Sequence, residues 1–416
     1  MNTFAIVLTF AVCSAVPPSA SYADDAKVRL KIPKTTAMQR LLYVRKARVW
    51  EATDVSAKDL YNGPSGRLAF AVDEEVRCDF VPKRVSGWSA KFWCRLDDGT
   101  IVKVKYEAGG PYKEAFGEVL GTRLFWALGF YADRMLPVQV TCRGCPEHPY
   151  EFVDARRKLP VDGRHNIRSF PAKARLGTYR FDLAAIEEPI DSETIEEKDK
   201  QGWDWTLLEQ VDETRGGARR AEIDALKLLN AFVQNADNRA AQNTLACPRA
   251  ALEIGDEGGV TCRSPIMFVD DLGSVFGKGG WTAGDSSRVN YEGWKARRVW
   301  QDSKACRARL TSIGGIFKSS TLKNPVIGEE GRALLSEQLA KLSDAQIADL
   351  FRAARVERLP QNRGDGAHGR REVTIDDWVQ LFKQKRSEIT EHPGCGTPGG
   401  AGSVRSRRLG LCSKSH

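Results

Sequence analysis

A polar segment rich in Asp, Asn and Arg stands between two apolar stretches and carries side chains suited to chemistry. It reads Asn235-Ala-Asp237-Asn238-Arg239-Ala-Ala-Gln242-Asn243. Carboxylate and amide oxygens bind divalent cations, a carboxylate can orient or deprotonate a hydroxyl, and a guanidinium binds anions. The segment therefore favours a loop that handles an anionic, metal-bound ligand. The alternative is an Asx-rich turn that satisfies only its own backbone.

A second acidic segment, Phe268-Val-Asp270-Asp271-Leu-Gly273, ends an apolar run with two carboxylates and a glycine. Oxygens placed in this way at the end of a strand can bind a divalent cation. The alternative is a turn that begins at an aspartate. Either Asp270 or Asp271 is the candidate ligand.

Two lysines, Lys103 and Lys105, lie in the run Ile101–Tyr106, which follows the run Lys91–Leu96 after an Asp-Gly turn. Two alternating runs joined by such a turn predict a β-hairpin. The period of a strand puts both lysines on one face and apolar side chains on the other. One lysine can reach into a cleft; the alternative is a solvent-facing pair.

A helix is predicted next, from about Tyr112 to Leu128, with Gly129 ending it. Glu114 and Glu118 share one face of this helix. Either carboxylate can pair with a lysine of the preceding strand. The alternative for both is a solvated helix face.

Together these residues are the parts that phosphoryl transfer requires. The reaction needs a cation on the phosphates, metal ions held by carboxylate and amide oxygens, and a base or orienting group at the acceptor hydroxyl. The chain presents a candidate for each part, in the order that a kinase uses them.

On these residues the chain resembles the kinase-like superfamily, in particular HipA-type kinases, phosphoinositide lipid kinases and secretory-pathway kinases. Val104-Lys-Tyr106 looks like the strand that carries the ATP lysine, and Glu118 has the HipA-like spacing before Gly129. Asn235-Ala-Asp237-Asn-Arg239 is similar to the catalytic loop Asn-x-Asp-x-His, and Asp271-Leu-Gly273 is similar to Asp-Phe-Gly. The chain also resembles a group of exported bacterial proteins that share the Lys-Phe-x-Cys hairpin and the segments Thr122–Phe130 and Asp271–Gly277.

The resemblance implies a role for each residue. Lys105, or its neighbour Lys103, would hold the α- and β-phosphates of ATP, with Glu118 fixing the lysine. Asp237 would act on the acceptor hydroxyl, and Arg239 would stand where a phosphate-contacting lysine often stands. Asp271, with Asp270 as competitor, would hold Mg²⁺ or Mn²⁺.

The chain departs from the family pattern at several positions. Gln242 is five residues after Asp237 and Asn243 is six after, so both are open as the amide ligand. The catalytic loop has no histidine, and an asparagine replaces it. Asn62-Gly-Pro-Ser-Gly66 is a poor substitute for a GxGxxG loop.

Residues 1–23 predict a secretory signal: an apolar run from Phe4 to Val16 precedes a small-residue cleavage site at Ala23. We therefore expect export to the periplasm or the cell exterior. Nine of the ten cysteines follow this cleavage site, and exported proteins with many cysteines hold disulfides. Pairing of sequence neighbours predicts Cys78–Cys94, Cys142–Cys145, Cys247–Cys262 and Cys395–Cys412, with Cys306 left over. A zinc site at Cys142, Cys145 and His148 is the less favoured alternative, because no second ligand pair follows.

Composition bounds the remaining classes. The 416 residues are 42% hydrophobic and 28% charged, as in soluble globular proteins. Beyond the signal, nothing approaches the roughly 20 apolar residues of a membrane-spanning helix. The net charge of +9 favours anionic partners such as nucleotides. No nucleic-acid-binding motif is present, so no nucleic-acid partner is expected.

The predicted fold is α+β, a two-lobed kinase-like fold with a helical extension. Residues 24–140 form a β-rich N-lobe with one helix, 141–217 a polar linker or insert, 218–392 a mainly helical C-lobe, and 393–416 a flexible basic tail. Helices are expected at 218–234, from the capping box Ser343–Gln346 through Val356, and at 375–389.

The predicted function is an exported ATP- and Mg²⁺-dependent phosphotransferase. Its acceptor is a hydroxyl, with a protein hydroxyl first and a lipid or sugar hydroxyl next. The alternative is a catalytically inactive, disulfide-stabilised pseudokinase-type binding module of the cell envelope. A third hypothesis drops the kinase fold and makes the chain a structural envelope protein.

Overall fold

The structure is a computed structural model. It describes residues 30–87, 89–108, 113–153, 175–198, 202–255, 258–279, 288–310, 322–359 and 372–395. The chain divides into two units, Met1–Lys31 and Ile32–His416. The predicted signal at 1–23 and the tail from 396 onward lie outside the described residues.

The second unit is a mixed α+β structure. Its described helices are α1 (Ala37–Arg45), α2 (Glu114–Ala127), α3 (Pro149–Val153), α4 (Arg220–Phe232), α5 (Tyr291–Lys295), α6 (Glu329–Ala340), α7 (Asp344–Ala353) and α8 (Ile375–Thr390). Its described strands are β1 (Glu75–Val81), β2 (Lys91–Leu96), β3 (Ile101–Tyr106), β4 (Arg134–Pro146), β5 (Leu176–Glu188), β6 (Ser192–Thr194), β7 (Asn243–Pro248), β8 (Leu252–Ile254), β9 (Val260–Cys262), β10 (Ile266–Val269), β11 (Trp300–Asp302) and β12 (Arg307–Ala308). None of these helices is both long and apolar enough to cross a membrane.

The first five strands close into a barrel in the order β1-β2-β3-β5-β4. The predicted hairpin of β2 and β3 is confirmed, and its ladder places Lys91 opposite Lys105 and Trp93 opposite Lys103. Strand alternation then sends apolar side chains such as Phe92 and Val104 into the barrel core. The lysines stand on the outer face, where α2 and the rest of the chain pack.

Strand β5 lies inside the segment predicted as a polar linker or insert, and this expectation was wrong. The strand pairs with both β3 and β4 and completes the barrel. Its first half alternates exposed and half-buried positions, and only Ala184–Ile186 are consecutively buried. Tyr179, Phe181 and Leu183 alternate with Arg180 and Asp182, which is the period of a strand, and the prediction overlooked this signal.

Disulfides link sequence neighbours, as predicted, at Cys78–Cys94, Cys142–Cys145 and Cys247–Cys262. The fourth prediction was wrong, because Cys395 pairs with Cys306. This bond joins residues 89 apart and holds the start of the predicted flexible tail against the helical part. Spacing alone favours short loops and therefore could not find it.

The carboxylate of Glu329, at the start of α6, secures the same region. It accepts hydrogen bonds from Arg332 and from the backbone N–H of Cys395. The bonds from Arg332, and then the one from Cys395, lower the pKa of Glu329 from 4.5 to about 2, against a partial burial that opposes the shift.

The helical part is built around aromatic side chains. Trp294, Phe351, Trp378 and Phe382 are fully buried and contact one another at ring-centroid distances of 5.0 to 6.4 Å. The predicted helices near 218–234, 344–356 and 375–389 are present as α4, α7 and α8, and the capping box at Ser343 is formed.

Helix α7 connects the helical part to the barrel. It packs against α2, and its Gln346 amide donates to the carbonyls of Val55 and Lys58 at 2.8 and 2.9 Å. Just beyond α7, the buried Arg355 pairs with Asp73 at 3.0 Å and donates to the carbonyl of Ala184 in β5 at 2.7 Å. These buried bonds fasten the helical part to the end of the barrel.

Candidate functional site

Lys105 is the buried lysine of the outer barrel face, with 6% of its surface exposed. Its ammonium forms an ion pair with Glu118 of α2 and lies 3.6 Å from Glu187 of β5. Burial disfavours the ammonium charge, but the surrounding carboxylates outweigh it and raise the pKa of Lys105 well above its usual value. Lys103 is half-buried and pairs instead with the other oxygen of Glu187 at 2.5 Å.

Glu118 is the helix glutamate that faces this lysine, and it is almost completely buried. Burial raises its pKa to about 8, an effect that the Lys105 charge offsets only in part and that nearby Asp271 reinforces. Glu114 faces elsewhere, toward Arg288 at 3.2 Å. The pair formed in the structure is therefore Lys105 with Glu118.

Two glycines of α2 let the acidic segment after β10 approach this pair. A Cβ added at Gly117 would lie 2.3 Å from the carbonyl oxygen of Gly273, and one at Gly121 would lie 2.6 Å from Cβ of Leu272. No larger residue fits in either place without displacing the segment. The helix backbone and the Leu272-Gly273 backbone are thus in direct contact, which brings Asp271 beside Glu118.

Asp271 and Asp270 face different neighbours. Asp271 accepts a hydrogen bond from the N–H of Gly273 at 3.1 Å, and the charges of Lys105 and Lys91 outweigh burial and lower its pKa. Asp270 reaches solvent, but the atoms packed around its carboxyl group disfavour the charged form and raise its pKa. The same carboxyl group hydrogen-bonds to the buried carboxyl of Asp133. Asp271 is therefore the ionised aspartate beside Lys105 and Glu118, and these three side chains define the candidate cleft.

The loop 235–243 is held next to these aspartates by backbone bonds. The N–H of Ala236 donates to the carbonyl of Ser274 at 3.1 Å, and the N–H of Asp270 donates to the carbonyl of Gln242 at 2.9 Å. The side chain of Asn238 is turned inward, where it donates to the carbonyl of Leu322. The structure thus brings the two acidic segments together at one end of the antiparallel β7–β10 ladder, where Asn243 pairs with Val269.

Asp237 is clamped by its neighbours in the loop. The guanidinium of Arg239 donates to both carboxylate oxygens, at 2.6 and 2.9 Å, and the Gln242 amide donates to one of them at 3.2 Å. The bonds to Asp237 raise the pKa of Arg239, and the charge of Asp271 contributes, which places Arg239 within electrostatic reach of the cleft.

The donor set of the cleft suits a hard divalent cation, which takes oxygen ligands. Asp271 supplies an ionised carboxylate, and Gln242 lies beside it with its amide oxygen free of any hydrogen bond among the described residues. Asn243 is buried, its amide N–H donates to the carbonyl of Trp203 at 2.9 Å, and its amide oxygen has no hydrogen-bond partner among the described residues. Of the two predicted amides, Gln242 is the one whose side chain contacts Asp237.

Sequence reasoning missed two charged residues of this site. Glu187 bridges Lys103 and Lys105, but it belongs to the strand that had been interpreted as a loop. Lys91 stands directly opposite Lys105 in the hairpin. A two-residue Asp-Gly turn would have placed Lys91 opposite Tyr106, so the observed pairing depends on the longer turn Asp97–Gly99.

The connection between β1 and β2, residues 82–90, covers the outer face near the lysines. Lys83 lies 3.9 Å from the centre of the Trp93 ring, and the Gly87 carbonyl accepts from the Tyr150 hydroxyl at 2.7 Å. The segment from Asn62 to Gly66 is elsewhere: Gly63 contacts Arg123 and Gly66 contacts Arg134.

No protein-family model and no curated protein matches the sequence. Among solved structures, the chain is similar to a proinflammatory kinase, CtkA, from Helicobacter pylori. The sequence identity is 10%, the alignment covers 77% of this chain and 95% of that one, and the TM-score is 0.36. A score of this size does not by itself establish a common fold, so the chemistry of this chain is argued from its own residues.

Proposed function

We propose that this protein is an exported phosphotransferase with a two-lobed, kinase-like fold that transfers the terminal phosphoryl group of ATP to a hydroxyl acceptor. One observation carries the proposal: a buried strand lysine, Lys105, is paired with a helix glutamate, Glu118, beside the ionised Asp271. A strand lysine paired with a helix glutamate and a neighbouring metal-binding aspartate is the arrangement that protein kinases require for activity.

Each residue then has a role. Lys105 contacts the α- and β-phosphates, while Glu118 and Glu187 hold its ammonium in place. Asp271 and the Gln242 amide hold Mg²⁺ or Mn²⁺, which when bound neutralises charge on the phosphates. Asp237 orients the acceptor hydroxyl and accepts its proton, and Arg239 moves from Asp237 to a phosphate oxygen as the substrates bind.

The acceptor class follows from the same chemistry. Asp237 can accept a proton from any hydroxyl that reaches it, so the proposal covers a protein hydroxyl first and a lipid or sugar hydroxyl next. Export is supported by the N-terminal apolar segment of the sequence and by four disulfides, which persist in oxidising compartments.

A second candidate is a nucleotide-binding module without turnover. The observation in its favour is the clamp on Asp237, because Arg239 and Gln242 occupy both carboxylate oxygens. Three of the roughly four lone-pair sites of this carboxylate are therefore engaged, and the paired guanidinium charge makes it a weaker base.

The first experiment is a thermal-shift titration of the oxidised, signal-free protein with ATP and Mg²⁺ or Mn²⁺. A ligand that binds only the native state adds about 2.7 kcal/mol of stability at a hundredfold excess over Kd. We expect a metal-dependent rise in Tm that Asp271→Asn abolishes. The matched control is Asp182→Asn, on the exposed side of β5, which should behave as wild type. No rise with any nucleotide and metal, for folded wild-type protein, contradicts the proposal.

Turnover separates the two candidates. Incubation with γ-labelled ATP should give labelled protein or, by transfer to water, labelled inorganic phosphate. Asp237→Asn should abolish formation of both labelled products without lowering the affinity for nucleotide. Binding without any transfer would favour the inactive module.

A further inference from the structure

One cation of the lysine cluster has no assigned task. Lys91 is half-buried on the outer barrel face, directly across the ladder from Lys105. Among the described residues, no carboxylate lies within ion-pair distance of its ammonium, whereas Lys103 and Lys105 both have partners. A half-buried cation without an ion-pair partner is suited to an incoming anion.

The β1–β2 connection fixes where this ammonium lies. A Cβ added at Gly87 would be 2.8 Å from the Lys91 Nζ, and Gly87 has a φ of +91°, which favours glycine. The connection is itself held by the Tyr150 hydroxyl and by a bond from the N–H of Val85 to the carbonyl of Val153 at 2.9 Å. Lys91 therefore points into the space beneath Gly87.

Lys91 shares the charges of the site. It lies within electrostatic reach of the carboxylates of Asp271, Glu114 and Glu187, of which Glu187 also pairs with Lys103 and Lys105. Burial, together with like-charge repulsion from Lys105, lowers the pKa of Lys91. An anion that spans both lysines would relieve this repulsion.

We propose that Lys91 binds the terminal phosphates of the nucleotide and so selects a nucleoside triphosphate. This inference rests on the proposed function. Lys91 lies within electrostatic reach of Asp271, which would hold the metal ion next to the terminal phosphates. From the start of β2 its side chain would supply the contact that a glycine-rich loop makes with backbone N–H groups, and no GxGxxG pattern precedes Lys105 in the sequence.

The test compares nucleotides that differ only in their phosphates. Calorimetric titrations of the oxidised protein with AMP-PNP, ADP and AMP, in MgCl₂ at constant ionic strength, give three affinities for each variant. Lys91→Met should weaken AMP-PNP binding about 10- to 100-fold, as expected for a lost charge-assisted hydrogen bond, and leave AMP binding unchanged. Lys91→Arg should retain most of the affinity for AMP-PNP.

Two controls keep the result interpretable. Lys341→Met removes an equal charge from the residue that follows α6, where the lysine pairs with Glu337, and should change none of the affinities. Unfolding of Lys91→Met is measured beside wild type, and no loss of stability is expected because a repulsive charge is removed. Equal loss for all three nucleotides, or no loss for AMP-PNP, overturns the inference while the proposed function stands. Wild-type protein that binds none of the three overturns both.

Discussion

Replacement of Gly117 by alanine tests how closely α2 and the acidic segment must approach. The added Cβ would lie 2.3 Å from the carbonyl oxygen of Gly273, roughly 1 Å closer than ordinary van der Waals contact. Neither backbone can give way cheaply, because α2 also packs against α7 and Asp271 is bonded to the N–H of Gly273. The segment that carries Asp271 must therefore move away from Glu118.

Two opposing effects determine how much Gly117→Ala changes the free energy of unfolding. Overpacking of a well-packed contact costs about 1–3 kcal/mol. Alanine in a helix interior is favoured over glycine by about 1 kcal/mol. The free energy of unfolding should thus fall by about 1 kcal/mol, whereas a shift of about 1 Å at a metal-binding carboxylate should weaken Mg²⁺-dependent nucleotide binding by roughly 10- to 100-fold.

Urea unfolding and nucleotide titration of Gly117→Ala measure the two effects separately. Gly259→Ala is the control, because nothing lies within 4 Å of a Cβ at Gly259. We expect that variant to be at least as stable as wild type and to bind nucleotide equally well. If Gly117→Ala matches wild type in both assays, the close contact between α2 and Gly273 does not exist.

Three further perturbations probe other parts of the structure. Lys105→Met removes the cation shared by buried carboxylates and should lower the free energy of unfolding by about 3 kcal/mol, part of which Glu118→Gln should restore in a double-mutant cycle. Serine at both Cys306 and Cys395 opens a loop of 89 residues and should cost about 4–5 kcal/mol in non-reducing urea unfolding. Glu329 has a lowered pKa in the folded state, so its contribution is present above its ordinary pKa of 4.5 and is lost as the pH falls toward about 2. The stability difference between wild type and Glu329→Gln should shrink over that window, to less than full linkage allows because the carboxylate is 41% exposed.

Each of these has a result that contradicts it. A cycle in which Lys105→Met and Glu118→Gln are strictly additive would mean that the two side chains do not interact. A double serine variant as stable as wild type would mean that the Cys306–Cys395 bond adds no net stability to the folded protein. A Glu329→Gln difference that does not change with pH would mean that the carboxylate is not selectively stabilised in its charged form.

The parts of the fold that sequence predicted are those with a strong local signal. The Asp-Gly turn and the alternation on either side of it set the hairpin and its two lysine positions. Helix α7 carried its own start signal in the capping box at Ser343. The acidic and amide residues of the cleft stood out because they interrupt apolar runs.

What sequence missed depends on contacts distant along the chain. Glu187 is a site residue only because β5 inserts between β3 and β4, a pairing that spans the whole of α2 and β4. The choices between Asp270 and Asp271, and between Gln242 and Asn243, depend on which side of a short ladder each side chain faces. Residue type does not show these surroundings: Asp270 hydrogen-bonds to the carboxyl of Asp133, and Asn243 donates to the carbonyl of Trp203.

The contacts that hold α2 in place bear on how the protein could be regulated. Proteins that are switched by swinging a helix keep two packings of nearly equal energy, so that a small signal tips the balance. Here glycine contacts hold α2 on one side and α7 holds it on the other, and the buried Arg355 ties the neighbouring barrel strands. Such a scaffold has a single stable packing of α2. Its output would then follow the supply of nucleotide and acceptor around it, and the cell would govern it by placement and abundance.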